Sequence, residues 1–171
     1  MSSRSRGRQF AVQMIYQFEF SGDTLDHILH HFWRNIDADQ TTRAFSSQLA
    51  RGVIEQRTEL DLEINGYLKN WTLDRIATLD RIILELALFE LLAKNIEVPW
   101  KVVIDEAVTL AKMFGTDKSP TFINGVLHAW CARNSDGFNA ATDTPANEAE
   151  AVSIEPDLPS VEAELPKPPA E

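Results

Sequence analysis

The stretch that decides the fold runs from Val98 to Leu127 and reads VPWKVVIDEAVTLAKMFGTDKSPTFINGVL. Apolar residues recur in it at helical spacing, which predicts two amphipathic helices joined by a short turn. Gly115 stands where a glycine ends a helix in the left-handed conformation. Ser119 and Pro120 are then expected to begin the second helix, as its N-cap and its first helical residue. The stretch therefore predicts a pair of packed helices.

The second predicted helix contains Asn124 and Gly125 in its interior. Glycine there costs a helix about 1 kcal/mol relative to alanine, so its presence needs a reason. Two explanations remain open from the sequence, namely close packing against another helix and contact with a bound molecule.

The most apolar part of the chain lies upstream, from Leu73 to Lys94. Its apolar residues cover nearly the whole circumference of the predicted helix, as expected of a helix buried between others. Four charged residues interrupt it: Asp80, Arg81, Glu85 and Glu90. Each of them must reach the surface, pair internally or meet a partner. With no convincing strand pattern in the sequence, the prediction is an all-α fold built around this helix.

Composition divides the chain near residue 134. The net charge of -10 is uneven, because residues 1–134 carry 15 Lys and Arg against 17 Asp and Glu, whereas residues 135–171 carry one Lys and nine acids. Six of the eight prolines also lie in residues 135–171. We therefore predict a folded domain over 1–134 and an acidic, Pro-rich, disordered tail over 135–171. The nearly neutral folded part still allows a basic patch on its surface.

Several kinds of site and location are disfavoured. The lone cysteine, Cys131, excludes an internal disulfide framework. No apolar run approaches the roughly 18 residues that a membrane span needs, and the N-terminus does not read as a secretory signal, so a cytoplasmic protein is expected. His27 and His31 are four residues apart, but nothing nearby supplies a convincing third ligand. No metal, no cofactor and no catalytic centre are expected.

The N-terminal segment combines basic and aromatic residues. Arg4, Arg6 and Arg8 occur with no acid among them. The first predicted helix places Arg8, Val12 and Tyr16 on a strip apart from its buried face. Guanidinium groups suit phosphates and an aromatic ring can stack on an unpaired base, so this pattern favours RNA binding. The alternative is a solvated basic terminus that binds nothing.

With these segments laid out, the chain resembles the NusB family, bacterial RNA-binding antitermination factors also used in ribosomal RNA synthesis. The resemblance covers about Arg8 to Trp130, and it rests on several motifs in the right order. These are AVQMIYQ (Ala11 to Gln17), DRIILELALFEL (Asp80 to Leu91), VPWKVVIDEAVTLAKMFG (Val98 to Gly115) and FINGVL (Phe122 to Leu127). The resemblance implies about seven helices in two small bundles that share a core.

The resemblance also implies a ligand and partners. They are a single-stranded boxA-type RNA, the ribosomal small-subunit protein known in this setting as NusE, and the transcription elongation complex. Carried over position by position, the implied RNA contacts are Arg4, Arg6, Arg8, Tyr16, Lys118 and Phe122. Asp80 and Glu85 are the implied partner-facing residues. The arginine-rich start is less dense than it often is in the family, and the acidic tail lies outside the resemblance.

Two other functions stay open at this point. A NusB-like domain also precedes the catalytic part of some RNA cytosine methyltransferases, but this chain is expected to lack room for a nucleotide-cofactor domain, and Cys131 has no neighbourhood that fits a nucleophile. The more serious rival is a protein-only helical scaffold, or a homodimer in which the RNA surface is covered. The sequence does not decide between monomer and dimer.

Overall fold

The computed structural model describes residues 2–68, 72–93 and 98–134. They form seven α-helices and a short 3-10 turn at Leu73–Arg75. The helices are α1 (Ser3–Ser21), α2 (Leu25–Asn35), α3 (Gln40–Glu55), α4 (Arg57–Asn65), α5 (Thr78–Leu92), α6 (Trp100–Phe114) and α7 (Ser119–Arg133). No strand occurs within the described ranges, and none of their helices is long and apolar enough to cross a membrane. The predicted tail, 135–171, lies outside the described residues, so its disorder and the domain boundary at 134 stay predictions.

Side-chain caps begin the first three helices. Ser2, Thr24 and Asp39 each accept, through a side-chain oxygen, a hydrogen bond from the backbone N–H three residues further on. Such a bond satisfies one of the donors that the first turn of a helix leaves without a partner. At its other end α1 is followed by Gly22, whose φ of 70° suits glycine far better than other residues. Local sequence therefore sets the limits of these helices.

Two helical bundles share α5 as their common core element. The helices α1, α2 and α3 pack against one another, and α6 packs against α7. The helix α5 contacts α1 and α3 of the first bundle and both α6 and α7 of the second. It also contacts α4. Every residue from Ile82 to Glu90 is buried. Contact on all sides explains the apolar circumference of this helix, and the predicted fold is confirmed.

The turn between α6 and α7 differs in detail from the prediction. Gly115 is extended, with φ of -93° and ψ of -165°, so the expected left-handed conformation is wrong. Glycine is required there for space, because a Cβ atom would lie 2.5 Å from Ser119 Oγ and 2.8 Å from the Ala111 carbonyl oxygen. Lys118 is the N-cap residue of α7, and Ser119 is its first helical residue. Ser119 Oγ accepts a hydrogen bond from the Thr116 N–H at 2.9 Å and so closes the turn.

Close packing does not explain the glycine inside α7. Gly125 and Asn124 are both exposed. A Cβ atom at Gly125 would meet no atom of the described residues within 4 Å. Of the two explanations left open by the sequence, contact with a bound molecule is the one that this geometry permits.

Candidate nucleic-acid interface

Arg8 lies inside the molecule and is only 2% exposed. Its Nε and Nη2 atoms donate to the two carboxylate oxygens of Glu90, each at 2.7 Å. Its Nη1 lies 3.6 Å from Glu106 Oε2, and Glu106 Oε1 accepts a hydrogen bond from the Ser5 hydroxyl at 2.6 Å. The bidentate ion pair with Glu90 is strong and joins α1 to α5, and the contacts with Glu106 join α1 to α6. The implied RNA contact of Arg8 does not fit this position, because its donors face carboxylates and not solvent.

Arg8, Val12 and Tyr16 were expected to share one surface strip of α1, but Arg8 and Val12 are buried. Val12 is fully buried, and only Tyr16, at 41% exposure, reaches the surface. Both α3 and α5 pack against α1, and Glu90 on α5 neutralises the arginine that enters the core. Helical periodicity identifies such a strip but does not show which helix covers it.

Arg4 and Arg6 keep their charges at the surface, near α3 and the segment before it. Arg6 Nη2 donates to the Asp37 carbonyl at 2.9 Å, and its guanidinium lies 5.2 Å from the centre of the Phe10 ring. The Arg4 guanidinium lies 5.3 Å from the centre of the Phe45 ring. Contacts of this kind hold a long side chain over an apolar ring and leave its charge in water. The start of α1 therefore presents positive charge.

Tyr16 lines a groove that joins α1 to the start of α5 and to the turn between α6 and α7. The groove has a volume of about 280 Å³. Its lining residues are Tyr16, Ala77, Thr78, Leu79, Asp80, Phe114, Gly115 and Thr116. An aromatic ring at the edge of such a groove offers its face to an unpaired base.

Lys118 and Phe122 follow this turn directly. Lys118 is exposed at the N-terminal end of α7, and Phe122, one helical turn further on, is half-buried against the core. The hydrogen bond from the Thr116 N–H to Ser119 Oγ links the turn to the first residue of α7, so Thr116, which lines the groove, and Lys118 lie on the same turn. Phe122 therefore contributes to packing as well as to any surface beside this turn.

The surface residues implied for RNA binding thus fall into two groups. Arg4 and Arg6 lie at the start of α1, whereas Tyr16 lies toward its other end, near the turn that carries Lys118. Arg4 and Tyr16 are separated by about 18 Å along the helix axis, at 1.5 Å per residue. A ligand that meets both groups must extend along α1, as a strand of nucleic acid can.

Asp80 lines the same groove but is only 8% exposed. Burial raises the pKa of its carboxyl group, and a hydrogen bond with Ser119 opposes that rise. Because so little of the side chain is exposed, the implied contact with a protein partner does not fit its place.

Glu85 is completely buried, so its implied role as a partner-facing residue does not fit either. Its Oε1 lies 3.2 Å from Arg81 Nε, and its Oε2 lies 3.5 Å from Arg57 Nε. Burial is the largest influence on its pKa, which rises to about 8 although both arginines lower it and Asp61 raises it further. Glu19 on α1 binds the same two arginines. This cluster joins α1, α4 and α5 and is internal.

Phe20 is a surface residue that the sequence analysis did not single out. Its side chain is 63% exposed, and its ring centre lies 4.8 Å from that of Tyr16. The available signal is the i, i+4 spacing, which places Tyr16 and Phe20 on one face of α1.

The histidines of α2 pair with one another and with an acid. The ring centres of His27 and His31 are 4.2 Å apart, and His27 Nδ1 lies 3.4 Å from Asp23 Oδ1. Among the residues that the structure describes, no group of three or more His, Cys, Asp or Glu side chains is arranged to hold a metal ion.

Comparison with known proteins gives one consistent answer. The sequence matches the model of the NusB family over residues 5–131. Transcription antitermination protein NusB of Sorangium cellulosum is 39% identical over 127 residues, which are 74% of this chain and 90% of that protein. The solved structure of T. maritima NusB aligns with a TM-score of 0.69 and 32% identity, covering 77% of this chain and 92% of that one. A chain from a complex of antitermination factors NusB and NusE with dsRNA aligns with a TM-score of 0.66 over 78% of this chain and 98% of that one, and its 23% identity indicates a shared fold.

Proposed function

Because the chain belongs to the NusB family, we propose that it is a non-catalytic RNA-binding factor of transcription antitermination that acts in ribosomal RNA transcription. The observation that carries the proposal is the part-exposed ring of Tyr16, in a groove beside the turn that leads to Lys118. An aromatic face next to a cation suits a nucleotide, which has a planar base and an anionic phosphate.

The two groups of surface residues divide the work of binding. Arg4, Arg6 and Lys118 contact phosphates, so they contribute affinity that does not depend on sequence and that weakens as salt rises. Tyr16 and Phe122 contribute discrimination between RNA sequences, through stacking and contacts to base edges. Arg8 acts indirectly, because its ion pair with Glu90 positions α1.

The proposed ligand is a single-stranded boxA-type RNA, and the proposed protein partner is NusE within the transcription elongation complex. Support for the partner comes from the family and from the NusB–NusE complex that contains a chain of this fold. Because Asp80 and Glu85 are buried, the surface for NusE is formed by other residues.

Fluorescence anisotropy of labelled boxA RNA, titrated with and without NusE at low and high salt, tests the proposal. We expect binding that prefers boxA over a scrambled RNA, weakens with salt and strengthens with NusE. Tyr16→Ala and Phe122→Ala should reduce the preference for boxA, whereas Lys118→Gln should weaken binding to both RNAs equally. Lys101→Gln is the matched control, because Lys101 is exposed at the opposite end of α6.

Absence of boxA binding by the unmodified protein, even at low salt with NusE, would overturn the proposal. Light scattering then decides what replaces it. A dimeric mass would support a homodimer with a covered RNA surface, and a monomeric mass would support a protein-only scaffold.

A further inference from the structure

We propose that a second groove, between the end of α1 and α2, binds a further base of the same single-stranded RNA, stacked against Phe20 and His31. The inference rests on the proposed function, because it extends the RNA path that begins at Tyr16. Phe20 and the histidines of α2 are not among the RNA contacts that the resemblance to the family implies.

This second groove shares the residue Tyr16 with the first. It has a volume of about 350 Å³, and it is lined by Tyr16, Gln17, Phe20, Ser21, Asp23, His27, Ile28 and His31. A strand whose base stacks on Tyr16 therefore has a second groove within reach beside the same residue.

Aromatic rings dominate this surface. Phe20 is 63% exposed, although water contact disfavours so large an apolar side chain, and it lies beside Tyr16. His27 and His31 add two more rings, with their centres 4.2 Å apart. Phenyl, phenol and imidazole rings are the side chains on which unpaired RNA bases stack.

The acids within α1 and α2 are paired with arginines, which reduces their repulsion of a polyanion. The single acid in α1, Glu19, is bound by Arg57 at 2.6 Å and by Arg81 at 2.5 Å. The single acid in α2, Asp26, accepts a hydrogen bond from Arg51 at 2.7 Å. Their negative charges are therefore compensated.

One acid and one arginine lie near the groove. Asp23 Oδ1 lies 3.4 Å from His27 Nδ1. The pKa of His31 is lowered by partial desolvation and by the neighbouring His27, Arg34 and His30, against the opposing effect of Asp23, which favours the neutral ring that stacks on a base. Arg34, in the last turn of α2, supplies a positive charge beside it. A cation together with stacked rings matches a nucleotide better than an apolar peptide.

The test compares a minimal boxA RNA with RNAs extended by a few nucleotides at the 5′ or the 3′ end, each carrying 2-aminopurine at an added position. We expect one of the two extensions to raise affinity roughly tenfold, as base–aromatic stacking does. The fluorescence of 2-aminopurine should be quenched on binding. Phe20→Ala and His31→Ala should abolish the gain and the quenching, and Phe20→Tyr should retain both. Leu62→Ala is the matched control, because Leu62 is 70% exposed on α4.

Separate outcomes address this inference and the proposed function. If Tyr16→Ala weakens binding of the minimal RNA, but neither extension gains affinity or quenching in the unmodified protein, the second groove is not an RNA site and the proposed function stands. If Phe20→Ala weakens NusE binding and leaves every RNA unaffected, a protein occupies the groove and the inference is wrong. If the unmodified protein binds neither the minimal nor the extended boxA RNA, even at low salt with NusE, both proposals fail.

Discussion

The guanidinium of Arg8 and the carboxylate of Glu90 form a buried, bidentate ion pair between residues 82 positions apart in the sequence, with both N–O distances at 2.7 Å. Removing one member of such a pair leaves the other charge buried without compensation. We therefore expect Arg8→Met to lower the free energy of unfolding by about 3–5 kcal/mol, and the double variant Arg8→Met/Glu90→Leu to recover much of that loss. Urea unfolding followed by circular dichroism measures both. A double variant no more stable than Arg8→Met would contradict the assignment.

The salt dependence of RNA binding separates Arg8 from the surface arginines. Each phosphate contact to a single strand contributes about 0.7 to the slope of log affinity against log salt concentration. We expect Arg6→Gln to reduce that slope by about this amount, and Arg8→Lys to leave it unchanged, because Arg8 binds carboxylates within the fold. Anisotropy titrations over a series of salt concentrations give the slopes. A reduced slope for Arg8→Lys would show that Arg8 meets a phosphate directly.

Glu85 makes stability depend on pH. Its pKa is about 8 in the folded protein against an ordinary 4.5, mainly because of burial. A carboxyl group with a raised pKa in the folded state adds stability that is complete below its unfolded pKa and is lost as pH rises through the folded value. We expect the free energy of unfolding of the unmodified protein to fall relative to that of Glu85→Gln between about pH 5 and about pH 9.

Urea unfolding of both proteins across this pH range measures the difference. The titration of all other groups cancels in the difference between the two free energies of unfolding. A difference that does not change with pH would show that Glu85 has the same charge in the folded and unfolded protein at each pH. That result would mean that Arg57 and Arg81 outweigh burial and the nearby Asp61.

Two glycines on either side of the start of α7 should respond in opposite ways to the same substitution. Gly115→Ala places a Cβ atom against Ser119 and the Ala111 carbonyl, so we expect a loss of about 1–3 kcal/mol in stability. Gly125→Ala meets no atom of the described residues, so we expect a gain of about 1 kcal/mol from helix propensity. Thermal unfolding measures both. If Gly125→Ala is stabilising and also weakens RNA binding, the exposed glycine serves a ligand contact.

The helices themselves were predictable because their signals are local. Periodic apolar residues indicate α5 to α7, and Thr24 and Asp39 mark helix starts by capping the adjacent backbone. The turn after α6 was less predictable. Gly115 is required because Ser119 approaches it closely, and not because its backbone is left-handed. A sequence pattern does not distinguish these two reasons for a glycine.

Of the candidate site, Tyr16 and Lys118 lie at the surface, and so does Phe20, which no sequence motif marked. Burial of a charged residue depends on a partner distant in the chain. Arg8 is buried beside Glu90, which carries the opposite charge, and Glu85 is buried beside Arg57 and Arg81, where burial still raises its pKa to about 8.

By itself, the sequence determined that this protein is an all-α member of the NusB family with a strongly apolar central helix, since periodicity, capping and ordered motifs are properties of the linear chain. Only the tertiary structure decided which charged side chains lie at the surface and which form ion pairs with each other inside the protein. The reason is that a buried ionisable group either meets an opposite charge, as Arg8 meets Glu90, or shifts its pKa, as Glu85 does, and packing supplies these surroundings from residues that the sequence keeps far apart.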